Sequence, residues 1–385
     1  MNEYEKRKQA IRRYLDGENV TEIVKSFGKT RPWFYNWLKR YQTCGEEGEW
    51  FLDRSRAPKT KPTKVASSLE EQVVEARKRL EEKRMAQTGA VAIEYELNRE
   101  GIKPPPVWTI NRILARHGLI KKKTPAHRSE KEYPELFFHT HQMDLLGPRW
   151  LKENGRFYSV NILDTRSHIC SVNPVRTKAS LGIAQALSHF WTTHGMPDAL
   201  QMDNELAFRG SNRYPHSFGV VVRFALALGI APVFIPVKEP WRNGMIEKFN
   251  HTWDKRFFRT QNFSNFEVLQ EASHEFAAFH NANHRYSSQH HKTPEQMSRE
   301  LPDPWLYDGS INLEEKIPLE QGSIYFIRFI RSDLKLHLPN ESFPVHENLK
   351  YSYVVAEISV ENHCLLIEQN NRMIQSFEYF MPIDW

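Results

Sequence analysis

Residues 139–177 read HTHQMDLLGPRWLKENGRFYSVNILDTRSHICSVNPVRT. Three β-favouring runs follow one another here, HTHQMDLL, RFYSVNILDT and SHICSVNPVRT, parted by turn residues such as Asn154-Gly155 and Arg166-Ser167. The period then changes: KASLGIAQALSHFWTTHG reads as a helix, ALQMDN as a strand, FGVVVRFALALG as a helix and APVFIPV as a strand. A further helix opens near Asn243. Three consecutive strands followed by alternating helix and strand predict an α/β sandwich. Asp144 falls on its first strand and Asp203 at the end of its fourth.

A third acid, Glu247, lies just inside the helix that opens after Pro240 and Gly244. Carboxylates gathered from separate elements suit hard cations, because magnesium takes oxygen ligands and keeps several waters. Two such ions roughly 3.5–4 Å apart can activate an attacking oxygen and stabilise a leaving one in an in-line phosphoryl displacement. The three acids are therefore read as catalytic residues and metal ligands, with two Mg2+ ions as cofactors and Mn2+ as a substitute.

Upstream the chain is helical and basic. Residues 1–135 carry 29 Lys and Arg against 20 Asp and Glu, a net +9, whereas the whole chain carries +6. Such a bias favours a polyanionic partner. YEKRKQAIRRYLD, NVTEIVKSFG and RPWFYNWLKRYQ read as three helices, with Gly28 in the turn before the third. Pro32 begins that third helix well. This is a helix-turn-helix pattern over residues 1–52, whose last helix would enter the major groove. Arg31, Tyr35, Asn36, Lys39 and Arg40 are expected to face DNA, and Phe34, Trp37 and Leu38 to pack inside. Residues 53–66 read as an extended basic linker rich in Pro, Lys and Arg. A long helix and two shorter ones over 67–125 form a second candidate helix-turn-helix, presenting Thr109, Asn111, Arg112 and Arg116.

Downstream, SIYFIRFI, LKLHL, YVVAEISV, CLLIEQ and MIQSFEYF are close-spaced strand runs, and a small barrel over 318–385 is expected. The sequence thus predicts a multidomain protein: all-α helix-turn-helix domains, an α/β core over 136–300, and a small all-β barrel. With 40% hydrophobic residues the chain can build real cores. No stretch approaches the roughly 18 apolar residues of a membrane helix, so no membrane partner is expected. Cys44, Cys170 and Cys364 stand far apart with no CxxC pair, which fits a reducing compartment. A soluble cytoplasmic protein is the expectation.

HQMD at 141–144, QMDNE at 201–205, PWRNGMIE at 240–247 and HRYSSQHHKTPEQ at 284–296 together resemble the retroviral-integrase superfamily. The resemblance is closest to bacterial insertion-sequence transposases with an integrase catalytic core. It implies an RNase H-like core whose Asp-Asp-Glu triad binds two magnesium ions, with DNA-reading domains before it and a β-barrel after it. The second motif departs from the family's Asp-Asn-Gly, since Glu205 replaces the glycine.

The family's usual spacing from the second Asp lands on Glu239, with 35 residues between, whereas Glu247 has 43 between. Glu247 is nonetheless the better third acid. It follows the Asn243-Gly244 signature on a helix that would hold it rigidly, while Glu239 precedes Pro240 in what reads as a mobile loop. The eight extra residues fit an insertion at GSNRYPHS, residues 210–217. His251 and Lys255 follow Glu247 at helical spacing, facing DNA phosphates. Asp164 reads as a turn residue bonding its own backbone. His280, His284, His290 and His291 lack an accompanying cysteine, and zinc is not expected.

These readings point to a transposase that binds transposon ends, cleaves phosphodiester bonds and joins the 3′ ends to target DNA. Its partners would be double-stranded DNA, both element ends and target, and further copies of itself, at least a dimer. The alternatives are a regulator with tandem helix-turn-helix domains and a silent core, and a nuclease for RNA–DNA hybrids. The second is disfavoured by sequence-reading domains, since hybrids are recognised mainly by shape.

Overall fold

The computed structural model describes residues 1–55, 65–83, 85–120, 132–152, 154–213 and 216–381. Most of the expected basic linker at 53–66 lies outside them. The chain divides into two compact units, Met1–Val65 and Ala66–Trp385. The sequence reading has separate domains at 67–125, 136–300 and 318–385; in the structure all three fall within the second unit.

In the first unit, α1 (Glu3–Leu15) starts with a reciprocal capping box between Asn2 and Glu5. Next come α2 (Val20–Ser26), capped by Asn19, and α3 (Arg31–Cys44), capped by Thr30 with proline in its first turn. Gly28, at φ +62°, makes the turn between them. Ile11, Ile23, Phe34, Trp37 and Leu38 close the core. Arg7 is buried over the Trp37 ring and donates to the Phe51 carbonyl and Asp53.

The second unit opens with α4 (Ser67–Glu82), α5 (Ala90–Arg99) and α6 (Val107–Arg116). Their apolar stripes, Val73/Ala76/Leu80, Ile93/Leu97 and Ile110/Ile113/Leu114, are buried. Strands β1 (Thr140–Leu151), β2 (Gly155–Asp164) and β3 (Cys170–Val175) form an antiparallel meander. Then follow α7 (Ser180–His194), β4 (Ala199–Met202), α8 (Leu206–Arg209), α9 (Val220–Ala227) and β5 (Ala231–Phe234). β4 and β5 run parallel to β1, and the order β3-β2-β1-β4-β5 is the arrangement of an RNase H-like sheet. Beyond it lie α10 (Gly244–Arg256), α11 (Phe266–Asn283) and the short α12 (Pro294–Ser298).

β2 is buried on both faces, so alternate residues serve different layers. Val160 and Ile162 pack with Leu187, Phe190 and Trp191 of α7. Phe157 and Leu163 pack with Phe249 and Trp253 of α10 and Phe276 of α11. Ser159 and Asn161 share that second face, yet they are polar and fully buried.

The C-terminal strands do not establish the expected barrel. β6 (Ser323–Phe329) pairs parallel with β5, at Val233–Tyr325 and Phe234–Phe326. β9 (Tyr353–Ser359), β10 (Cys364–Gln369) and β11 (Arg372–Glu378) then extend the same sheet to nine strands. β7 (Lys335–Leu338) and β8 (Glu341–Pro344) form a separate hairpin. Phe234 stacks on Phe326 at 4.8 Å, and Ile358, Leu365 and Ile367 join the cluster under α7 and α9. Each such buried side chain contributes roughly 1.5–3 kcal/mol, so burial favours an extended sheet. No helix among the described residues is long and apolar enough to cross a membrane.

Candidate active site

Asp144 sits in β1 directly across from Asn161 of β2. Its Oδ2 accepts from Asn250 Nδ2 at 2.6 Å, and Oδ1 from the Leu145 N–H at 2.9 Å. Behind this lies a buried polar chain: Ser159 Oγ donates to Asn161 Oδ1, and Asn161 Nδ2 donates to Asn250 Oδ1, both at 2.7 Å. The polar residues that interrupt the apolar face of β2 thus fix the amide that orients Asp144. Burial and the charge of Asp203, with a smaller push from Glu247, raise the Asp144 carboxyl to about 6.

Asp203 follows β4 and turns on itself, its Oδ1 accepting from the Glu205 N–H at 2.9 Å. Burial and then the Glu205 charge raise its pKa, opposed by that N–H and by Lys178. Glu205 extends to Lys178 Nζ at 2.7 Å. Its carboxylate therefore has a cation partner of its own.

Glu247 lies in the first turn of α10, and the surrounding motif residues explain its placement. Gln142 Oε1 accepts from the N–H groups of Met245 and Ile246 at 3.2 and 3.0 Å, satisfying two free donors of the helix start. Asn243 Nδ2 donates to the Met143 carbonyl at 2.9 Å, and Gln201 Nε2 to the Arg242 carbonyl at 3.0 Å. The glutamines of HQMD and QMDNE therefore bind β1 and β4 to the beginning of α10. Burial raises the Glu247 pKa.

Glu239 is held elsewhere. Its Oε2 accepts from Tyr353 Oη at 2.7 Å and Arg242 Nε at 3.3 Å. Arg242 in turn stacks on the Tyr133 ring at 3.8 Å. The expected mobile loop is corrected by this cage: an ion pair and a tyrosine from β9 pin the side chain.

The structure thus brings Asp144, Asp203 and Glu247 near enough for the charges of the latter two to act on the first. Their carboxylate oxygens do not all lie within 4.8 Å of one another. Among the described residues, ligand atoms within 4.8 Å of one another occur at His139, His141 and Asp164 instead. There the Trp191 indole donates to His141 Nδ1 at 3.3 Å, which leaves the proton of the neutral ring on Nε2. Asp164 accepts from the N–H groups of Arg166 and Ser167, the turn read from sequence, and lies 3.3 Å from His139 Nε2. Burial opposes its charge, yet His139, His141 and Ser167 hold its pKa well below the usual range. Within that trio His139 already pairs with Asp164, and His141 Nδ1 is taken by the Trp191 indole. The three acids have the opposite chemistry: hard oxygen donors with raised pKa values, a set that suits a divalent cation.

His251 and Lys255 are exposed on α10, one and two turns beyond Glu247. His280 bonds the Tyr286 hydroxyl and stacks on His284 at 4.1 Å, and His284 meets Gln87. These rings join α11 to the segment between α4 and α5.

On α3, Arg31, Tyr35, Asn36 and Lys39 are exposed, although Arg31 also bonds Thr21 at 2.6 Å. Arg40 corrects the expectation of an outward residue: it is half-buried over Trp37 and donates to the Leu52 carbonyl. On α6, Asn111, Arg112 and Arg116 are exposed and Thr109 is half-buried. Arg116 pairs with Glu70 at 3.2 Å. Trp108, 62% exposed beside Arg112, was not among the residues expected on that surface.

Residues 1–50 match a family model described as a homeodomain-like domain, so the segment that holds α1–α3 is a homeodomain-like helix-turn-helix domain. Among solved structures, the chain is similar to the HTLV-2 integrase catalytic core domain in complex with magnesium. The identity is 20% over 42% of this chain and 97% of that one, with a TM-score of 0.32. It is also similar to the bovine immunodeficiency virus (BIV) integrase core, at 15% identity over 42% and 93%, TM-score 0.32. A third likeness is to the simian T-cell lymphotropic virus intasome, solved with a PP2A regulatory subunit, at 15% over 76% and 93%, TM-score 0.37.

Proposed function

We propose that this chain is a DNA transposase of the Asp-Asp-Glu type, acting on double-stranded DNA in the cytoplasm. The observation that carries the reading is the approach of Asp203, just after β4, and Glu247 of α10 to Asp144 of β1, with all three pKa values raised and the charges of Asp203 and Glu247 acting on Asp144. The three carboxylates are half-buried, and Asp203 and Glu247 disfavour the charge on Asp144, which a cation bound between them would relieve. Two Mg2+ ions held by these carboxylates would activate the attacking oxygen and stabilise the leaving one.

The chain's own residues do the positioning. Asn250 aims the Asp144 carboxylate, and Gln142 and Asn243 set the helix that carries Glu247. His251 and Lys255 extend the site along α10 toward a phosphate backbone. α3 reads bases in the element ends, with α6 as a second DNA contact. Joining two ends at one target requires at least two copies of the chain.

The test is cleavage and strand transfer by the purified full chain on DNA carrying the element's own ends, with Mg2+ or Mn2+. Asp144→Asn should lose both activities and retain end-specific binding. An Asp144→Asn protein that cleaves as the native chain does would overturn the reading.

A further inference from the structure

The C-terminal meander sends one cation into the core. Arg328 on β6 is 5% exposed, and among the described residues no carboxylate pairs with it. Its donors all end on neutral oxygens. Nε reaches the His337 carbonyl at 3.0 Å; Nη1 reaches those of Ile327 at 2.9 Å and Ile235 at 3.1 Å. Nη2 reaches Asn204 Oδ1 at 2.6 Å. A buried guanidinium without a counter-ion carries a desolvation penalty that an apolar side chain of similar size would not. Its worth therefore lies in what the fork holds in place.

What it holds is the residue after Asp203. Asn204 uses every polar group of its amide: Oδ1 accepts from Arg328, and Nδ2 donates to the Ile235 carbonyl at 2.7 Å. Its own carbonyl accepts from Arg209 Nε at 3.2 Å. With the Glu205 N–H on Asp203 Oδ1, the turn 203–205 is fixed between the ends of β4 and β5 and the strand β6. Rigid support behind a ligand is what keeps a carboxylate in a productive orientation.

We propose that Arg328 and Asn204 are positioning residues for Asp203, so that the core's affinity for its divalent cation depends on the C-terminal strands. The inference rests on the reading of Asp203 as a metal ligand. A role limited to saturating strand-end carbonyls would lower stability and leave metal affinity unchanged.

The test is Mn2+ binding to the full-length chain without DNA, by titration calorimetry, with thermal unfolding measured in parallel. Asn204→Ala should weaken Mn2+ binding about tenfold or more, the usual scale for removing a residue behind a metal ligand, and should also lower the unfolding temperature, because the Arg328 guanidinium loses an acceptor; the metal affinity is the readout that decides. Arg328→Lys, which keeps the charge and loses the fork, should fall between Asn204→Ala and the native chain. Asn204→Ala reads the clamp even if Arg328→Lys does not fold. Native Mn2+ affinity in Asn204→Ala, alongside weakened binding in Asp203→Asn, would overturn the inference and leave the site reading intact. Native affinity in Asp203→Asn would instead remove the site reading, and this inference with it.

Discussion

The paired strands β1 and β2 carry two half-buried aspartates that face opposite circumstances. Asp164 lies opposite His141 and collects two backbone N–H groups, the Ser167 hydroxyl and His139, which keep it ionised. Asp144, on the neighbouring strand, receives one side-chain amide and one N–H, and the charges of Asp203 and Glu247 press on it. Both are acids near a strand end or strand centre in a β-favouring run, so residue type does not separate them. The difference is in the count of donors: a saturated carboxylate supports the fold, and an under-compensated one is ready for a cation.

The largest expected effects are on activity. Glu247→Gln should abolish strand cleavage, and Glu239→Gln should retain most of it, because Glu239 is occupied by Tyr353 and Arg242. The opposite outcome in a cleavage assay would place the third acid before the helix.

Next comes Asp164→Asn, which turns an acceptor of several donors into an amide with a donor of its own. A loss of about 3 kcal/mol or more is expected in urea unfolding. A neutral result would dissolve the contrast between the two aspartates.

Asp144→Asn should do the reverse in metal-free buffer and stabilise the chain. The folded pKa, about 6, lies above the ordinary 3.8. The native protein therefore loses stability through this group as pH rises from about 4 through 6, and the asparagine variant lacks that contribution. The gain should be on the order of 1–3 kcal/mol above pH 6 and vanish below about pH 4. Saturating Mg2+ should reduce or reverse it by stabilising only the native chain. An equal gain at every pH would mean that packing, and not charge, is responsible.

The smallest effect concerns α3. Replacing Asn36 should alter base preference by ~1–3 kcal/mol, while replacing Lys39 should weaken all DNA alike and flatten the salt dependence. Binding competition across salt concentrations separates the two.

Much of this was legible locally. The α3 helix announces itself through Thr30 and Pro32, and Phe34, Trp37 and Leu38 are buried as their spacing requires. Asp144 and Asp203 stand out because an acid in an apolar run is unusual. Asn250 carried a weaker signal, one turn after Glu247 on the same helix. Ser159 and Asn161 were polar interruptions in a run buried on both faces, a sign that something polar lies opposite. Arg40 misled because its spacing fits the outer face, whereas the Trp37 ring gives its guanidinium a place to stack.

By itself the sequence determined which segments are helix or strand and where the acids stand along them, since propensity, capping and periodicity act over a few neighbouring residues. Tertiary structure alone decided the rest. The barrel expected at the C-terminus became an extension of the core sheet because β6 met the free edge of β5, and no local pattern records a parallel pairing across α10–α12. Tyr353 on Glu239, Asn161 on Asn250 and Arg328 on Asn204 span 114, 89 and 124 positions. Such contacts depend on which faces the packed layers bring together, and that is set by burying apolar surface from the whole unit at once.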